Sequence, residues 1–135
     1  MPQSVITDSS VLVALLDPRD QHHGWSRAAV ANLPLPWLTC EAAVFETLFL
    51  LERTGAARLG RLLRDGRLRV VYGLRDEIAP VLDLMDKYAS VPMSLADACL
   101  VRMTETLPDP IIVTTDTDFK IYRRHSRQVV PCLMP

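Results

Sequence analysis

The sequence predicts an α/β sandwich around a parallel sheet of short strands. Three observations carry this reading. Short β-prone runs alternate with segments of helical period along the whole chain. One run, Ile111-Ile112-Val113-Thr114, is β-branched throughout, as suits a strand covered on both faces. The ten prolines fall mostly between the periodic segments, where they punctuate elements rather than break them.

The elements follow in order. Ser4–Thr7 is short and β-prone, and Asp8-Ser9-Ser10 after it has the composition of a helix start. Val11–Leu16 then reads as a short buried helix ended by Asp17-Pro18, and a second helix is expected over Gln21–Asn32. Pro36–Thr39 is an extended piece. Glu41 to about Arg53 reads as a strong helix stopped at Gly55, Ala56–Asp65 as another stopped at Gly66, and Leu68–Tyr72 as a strand. Arg75–Tyr88 carries Ile78, Val81, Leu82 and Met85 at helical spacing. Ser94–Leu107 is helical again, Ile111–Thr114 is a buried parallel strand, and a last strand is expected at Gln128–Val130.

Residues 1–135 are expected to form one domain, since domains run to roughly 100–200 residues and no linker or repeat divides the chain. Hydrophobic residues at 49% and charged residues at 23% exclude a disordered chain. Fifteen basic against sixteen acidic residues give a net charge of −1, so binding to a polyanion must use a local patch. Cys40, Cys99 and Cys132 are odd in number and widely spaced, which argues against a disulfide framework or a zinc knuckle. The longest strictly apolar run, Val11–Leu16, is far below the ~20 residues of a membrane span, and Met1–Ser4 lacks a basic signal start. The expectation is a cytoplasmic protein with no membrane association.

Four acids stand in telling positions. Asp8 ends the first strand and Asp116 follows Ile111–Thr114; in an open parallel sheet both strand ends lie on the ligand-binding edge. Each also fits a local role, Asp8 as a helix cap and Asp116 in an Asx turn. Asp97 fits a capping box with Ser94, yet on the first turn of a helix it can reach a site beside a strand end. Glu46 lies in Ala42–Leu51, apolar almost all round, which predicts a largely buried helix; an ionised carboxylate there needs a salt bridge to a nearby arginine or a metal, unless it takes a solvent-facing slot on a helix that covers a partner. Were all four to converge, each pair at ~6 Å would repel by roughly 3 kcal/mol at an effective dielectric of 20. Protons or a divalent cation would have to relieve that, and oxygen-only donors favour Mg²⁺ or Mn²⁺ over zinc.

The order Asp8-Ser9-Ser10, Glu46 in an apolar helix, Leu95-Ala96-Asp97-Ala98, then Thr114-Thr115-Asp116-Thr117-Asp118-Phe119 resembles that of PIN-domain ribonucleases. Within them it is most similar to VapC-type toxins of toxin–antitoxin pairs. The resemblance covers essentially the whole chain, and Val113–Phe119 is its most specific piece. It implies a three-layer α/β/α sandwich with a central, mainly parallel sheet, and Mg²⁺- or Mn²⁺-dependent cleavage of RNA. It implies that Asp8, Glu46, Asp97 and Asp116 are catalytic and hold the metal, with Asp118, Ser9 and Thr114 auxiliary. Glu41 competes on the same helix, but its place at the helix start suits the helix dipole, so Glu46 is preferred.

RNA must be gripped around such acids. Lys120, Arg123, Arg124 and Arg127 follow Asp116 and are the expected RNA-binding residues. A second run, Arg53, Arg58, Arg61, Arg64, Arg67 and Arg69, reads equally as a solvated helix face. His22-His23 point apart on a helix and make a poor ligand pair, and Trp25 and Trp37 read as packing residues. The resemblance also implies a cognate antitoxin protein, with Phe45–Leu51 suited to that contact or to a homodimer, or else simply core. Two alternatives stay open: a non-catalytic flavodoxin-like binding or signalling module whose acids cap helices, and a PIN nuclease that processes RNA outside any toxin role.

Overall fold

A computed structural model describes residues 2–135. The strands are β1 (Ser4–Thr7), β2 (Trp37–Cys40), β3 (Leu68–Tyr72), β4 (Pro110–Val113), β5 (Arg123–Arg124), β6 (Gln128–Val129) and β7 (Cys132–Leu133). The helices are α1 (Ser9–Leu16), α2 (His23–Ala31), α3 (Glu41–Leu50), α4 (Arg53–Arg64), α5 (Ile78–Lys87) and α6 (Leu95–Thr106). Five parallel strands form one sheet in the order β3-β2-β1-β4-β7, and β5 and β6 form a separate antiparallel ribbon.

Alternation along β1 builds the layers. Val5 points to one face, where it packs with Val11 of α1 and Val30 of α2; Leu12 and Leu16 of α1 extend this layer onto Leu59 and Leu62 of α4. Ile6 points to the other face and joins Val81 of α5 with Ala98, Val101 and Met103 of α6. Helices thus cover both faces of the parallel sheet, the expected α/β/α sandwich. A flavodoxin-like module would order its strands 2-1-3-4-5, and the order here is different.

The departures from the expected elements have local causes. Gly55 stops no helix. It stands in the first turn of α4, where a Cβ would lie 3.3 Å from the Leu16 carbonyl oxygen, so it admits the close approach of α1. Gly66, at φ 78°, does end α4. The segment 75–88 is divided into a 3₁₀ turn over Leu74–Asp76 and α5, because Pro80 lacks the N–H that a continuous helix needs and fits only the first turn.

Gln128–Val129 is not a strand of the main sheet but pairs with Arg123–Arg124. The fifth sheet strand is β7, in register with β4 through Ile112 and Cys132. Most consequential, α3 is not largely buried. Ala43 and Thr47 are fully covered, whereas Phe45 is 71% and Phe49 80% exposed, with Leu48 and Leu50 beside them. Ile78 and Leu82 of α5 are exposed as well, leaving Val81 as that helix's buried contact.

Candidate active site

The sheet has a switch point. From β1 the chain moves outward through β2 to β3, then returns to place β4 on the other flank of β1. The crevice between the carboxyl ends of β1 and β4 is where such sheets bind ligands. Register pairs Thr7 with Val113. The next residues, Asp8 and Thr114, therefore face each other, and the Thr114 hydroxyl donates to Asp8 Oδ2 at 2.7 Å.

Asp8 is 2% exposed and its carboxylate is held entirely by uncharged donors. The Ser9 amide reaches Oδ1 at 2.7 Å, the cap of α1, and the Ser10 hydroxyl reaches Oδ2 at 2.9 Å. Ser10 Oγ in turn accepts the Thr115 amide at 3.0 Å, and Thr114 Oγ1 accepts the Asp116 amide at 2.9 Å. These bonds tie the loop after β4 to the start of α1. Asp116 forms the expected Asx turn, accepting the Asp118 amide at 2.9 Å. Glu46, half-buried on α3, accepts the Ser9 hydroxyl at 2.9 Å and so stands one residue from Asp8. Glu41 is exposed at the start of the same helix.

Asp97 caps and serves the crevice at once. The capping box with Ser94 is formed, and the buried carboxylate also accepts the Tyr122 hydroxyl at 2.8 Å. Tyr122 is fully buried, edge-on to Tyr88 and Phe119 at 5.2 and 5.3 Å between ring centres. Burial raises the Tyr122 hydroxyl well above the usual phenol range, and its bond to Asp97 adds to this, so it remains a donor.

Three of the acids stand close enough to feel one another's charge. Burial pushes Asp97 up to about 6; the Tyr122 bond opposes this, while the charges of Asp8 and Asp116 add to it. Burial likewise raises Asp8, against the lowering by Thr114, Ser10 and Ser9, with Asp116 again adding to the rise. Among the described residues no salt bridge reaches Asp8, Glu46, Asp97 or Asp116. A crevice of unpaired, mutually repelling carboxylates with oxygen-only donors is the kind of donor set a hard divalent cation takes. As the side chains stand, no three His, Cys, Asp or Glu residues among the described residues enclose a common point for an ion.

A family comparison decides the kinship. The model of the PIN domain matches residues 5–124. The chain belongs to the PIN-domain family. Among solved structures, this PIN domain is similar to VapC20 of Mycobacterium tuberculosis, a toxin described as cleaving the sarcin–ricin loop. The TM-score is 0.78 at 20% identity, over 87% of this chain and 94% of that one. PAE2754 from Pyrobaculum aerophilum is similar at a TM-score of 0.49 and 20% identity, over 87% and 84% of the two chains. No curated protein matches. At this identity the likeness speaks for the fold.

The cations expected to grip a substrate divide into two kinds. Arg123 donates to the carbonyls of Lys120, Ile121 and Tyr122, capping the 3₁₀ turn over Thr117–Lys120, and Arg124 donates to the Thr104 carbonyl. Lys120 and Arg127 are exposed. Asp118 is half-buried, close enough for its charge to raise Tyr122. His23 donates from Nδ1 to the Ala14 carbonyl at 2.7 Å, a structural tie. Sequence reasoning missed Ser10 and Tyr122. Ser10 was within reach, being part of Asp8-Ser9-Ser10, but nothing local marks Tyr122 as the partner of Asp97.

Proposed function

We propose that this PIN domain is a Mg²⁺- or Mn²⁺-dependent endoribonuclease and the toxin of a toxin–antitoxin pair. One observation carries the reading: Asp8, Asp97 and Asp116 gather at the sheet's switch point, within reach of one another's charge and without a protein cation. Asp8, Asp97 and Asp116 would hold the ion, with Glu46 beside them through Ser9. When bound, a hard dication supplies Lewis-acid polarisation of the phosphodiester and eases ionisation of the attacking water.

The chain's own groups do the positioning. Thr114, Ser10 and the Ser9 amide fix the Asp8 carboxylate, and Tyr122 fixes Asp97. The hydroxyls of Ser9, Ser10 and Thr114 each donate to a carboxylate and so hold the acids in place. Water is the nucleophile of the proposed reaction.

RNA as substrate and an antitoxin as partner rest on the family and on the likeness to a VapC toxin. The exposed Phe45 and Phe49 support a protein partner, because an isolated soluble domain rarely leaves such a patch uncovered. Phe45 also lines a cavity of about 430 Å³ with Tyr72, Leu74 and Leu95, shaped for apolar side chains of an antitoxin segment or of a second copy. The test is digestion of defined RNAs with and without Mg²⁺ or Mn²⁺. Asp8→Asn and Asp97→Asn should each abolish cleavage while leaving the fold intact; equal activity in wild type and both variants would mark a contaminant and end the assignment.

A further inference from the structure

A second large cavity lies at the opposite edge of the sheet. α1 runs back from the acids, so Leu15 and Leu16 at its end meet Trp37 at the start of β2 where the strands begin. With His23, Arg27 and Val30 of the α2 segment and Arg58 and Leu62 of α4, they line a cavity of about 420 Å³. Its walls are aliphatic and indole; its charged members are guanidiniums. Arg27 and Arg58 are exposed, and among the described residues neither is in a salt bridge.

Arg58 also opens a row. Arg58, Arg61 and Arg64 follow at intervals of three on α4, so neighbours lie about 5–6 Å apart on one face. All three are exposed and outside the salt bridges found among the described residues. A single carboxylate would satisfy one of them; a row suits a polymer with repeating negative charge. From the cavity a trough of about 230 Å³ continues past Arg58 to Leu51 and Thr54, between the ends of α1 and α3. Its carboxylates, Asp17 and Glu52, are both engaged by Arg19, at 3.2 and 3.1 Å.

We infer that this cavity is an accessory RNA site, in which a base enters the apolar slot beside Trp37 while flanking phosphates lie along Arg27, Arg58 and Arg61. The inference rests on the ribonuclease reading and says where, away from the acids, the substrate is held. Stacking surfaces and arginines together are what single-stranded RNA needs from a site that reads no sequence. The eight residues of α1 separate the two sites by ~12 Å, so only a strand of several nucleotides can occupy both.

The test measures binding of a trinucleotide and a dodecanucleotide RNA by full-length protein in EDTA, with cleavage in Mg²⁺ as a companion. Arg58→Gln/Arg61→Gln should weaken dodecanucleotide binding about tenfold and flatten its log–log salt slope by about 1.4, at ~0.7 for each phosphate left without its arginine. Trinucleotide binding should weaken as well, since one base with its flanking phosphates fills the accessory site, thermal unfolding should not change, and Arg58→Lys/Arg61→Lys should keep most of the affinity. If wild type cleaves RNA but the Gln variant binds the dodecanucleotide as wild type does, the accessory site is refuted and the ribonuclease stands. If that variant instead loses an acidic peptide ligand with RNA binding intact, the cavity is a protein-docking site and the inference is overturned. If wild type neither binds nor cleaves either RNA, the ribonuclease reading itself falls and takes this one with it.

Discussion

Tyr122 and Asp97 show how a single hydrogen bond sets the behaviour of the crevice. Asp97 is raised from 3.8 to about 6 by burial and by the nearby acids, and the Tyr122 hydroxyl holds it below where those effects alone would put it. A raised carboxyl pKa means the protonated form favours the fold. That contribution is whole below the unfolded value and is lost as pH climbs through the folded one. In metal-free buffer, wild type should therefore lose thermal stability relative to Asp97→Asn between about pH 4 and pH 6. Tyr122→Phe keeps the ring packing and removes the donor, so the loss should move to higher pH; an unchanged pH profile would show that the bond does not govern Asp97. At this scale the acids were legible because Asp8 and Asp116 sit at strand ends and Asp97 on a first helical turn. Tyr122 was not, because its reach depends on how the 3₁₀ turn over Thr117–Lys120 packs on α6.

At the scale of elements, α6 is the beam that carries Asp97 into the crevice. Its start is fixed by the Ser94 capping box, with the Asp97 amide 3.0 Å from Ser94 Oγ. Ser94→Ala should cost about 1 kcal/mol, read as a fall of several degrees in Tm, with a drop in RNA cleavage as Asp97 loses its seat. Strong periodicity made α6 and β4 readable, and Ser94-Leu95-Ala96-Asp97 announced the cap. The failures came where neighbours overrule pattern. Apolar composition all round α3 suggested burial, yet only its Ala43 and Thr47 side meets α1 and α6 closely. β7 is two residues long between prolines and owes its existence to β4, with Pro131 accepting the Ile112 amide at 2.9 Å. No local signal distinguishes it from the ribbon just before.

For the whole molecule, the proposed roles fall on regions that the topology separates. The acids occupy the switch point, the arginine row lies on the α4 side, and the exposed phenylalanines of α3 form an apolar face of their own. Alternating elements foretold the parallel sandwich, but the side of β1 on which β4 returns is not written in any segment, and that return creates the crevice. The apolar face should be separable from the chemistry. Phe45→Glu/Phe49→Glu should abolish co-purification with the antitoxin while RNA cleavage persists; retention of the complex would place the partner elsewhere. If the gathered acids form a dication site, thermal unfolding at about pH 7.5 should respond to increasing Mn²⁺. Wild type should gain about 2.7 kcal/mol, several degrees in Tm, at a hundredfold excess over Kd, reversibly with EDTA, and Asp8→Asn/Asp97→Asn should gain nothing. An unresponsive wild type, or a double variant that rises equally, would contradict it.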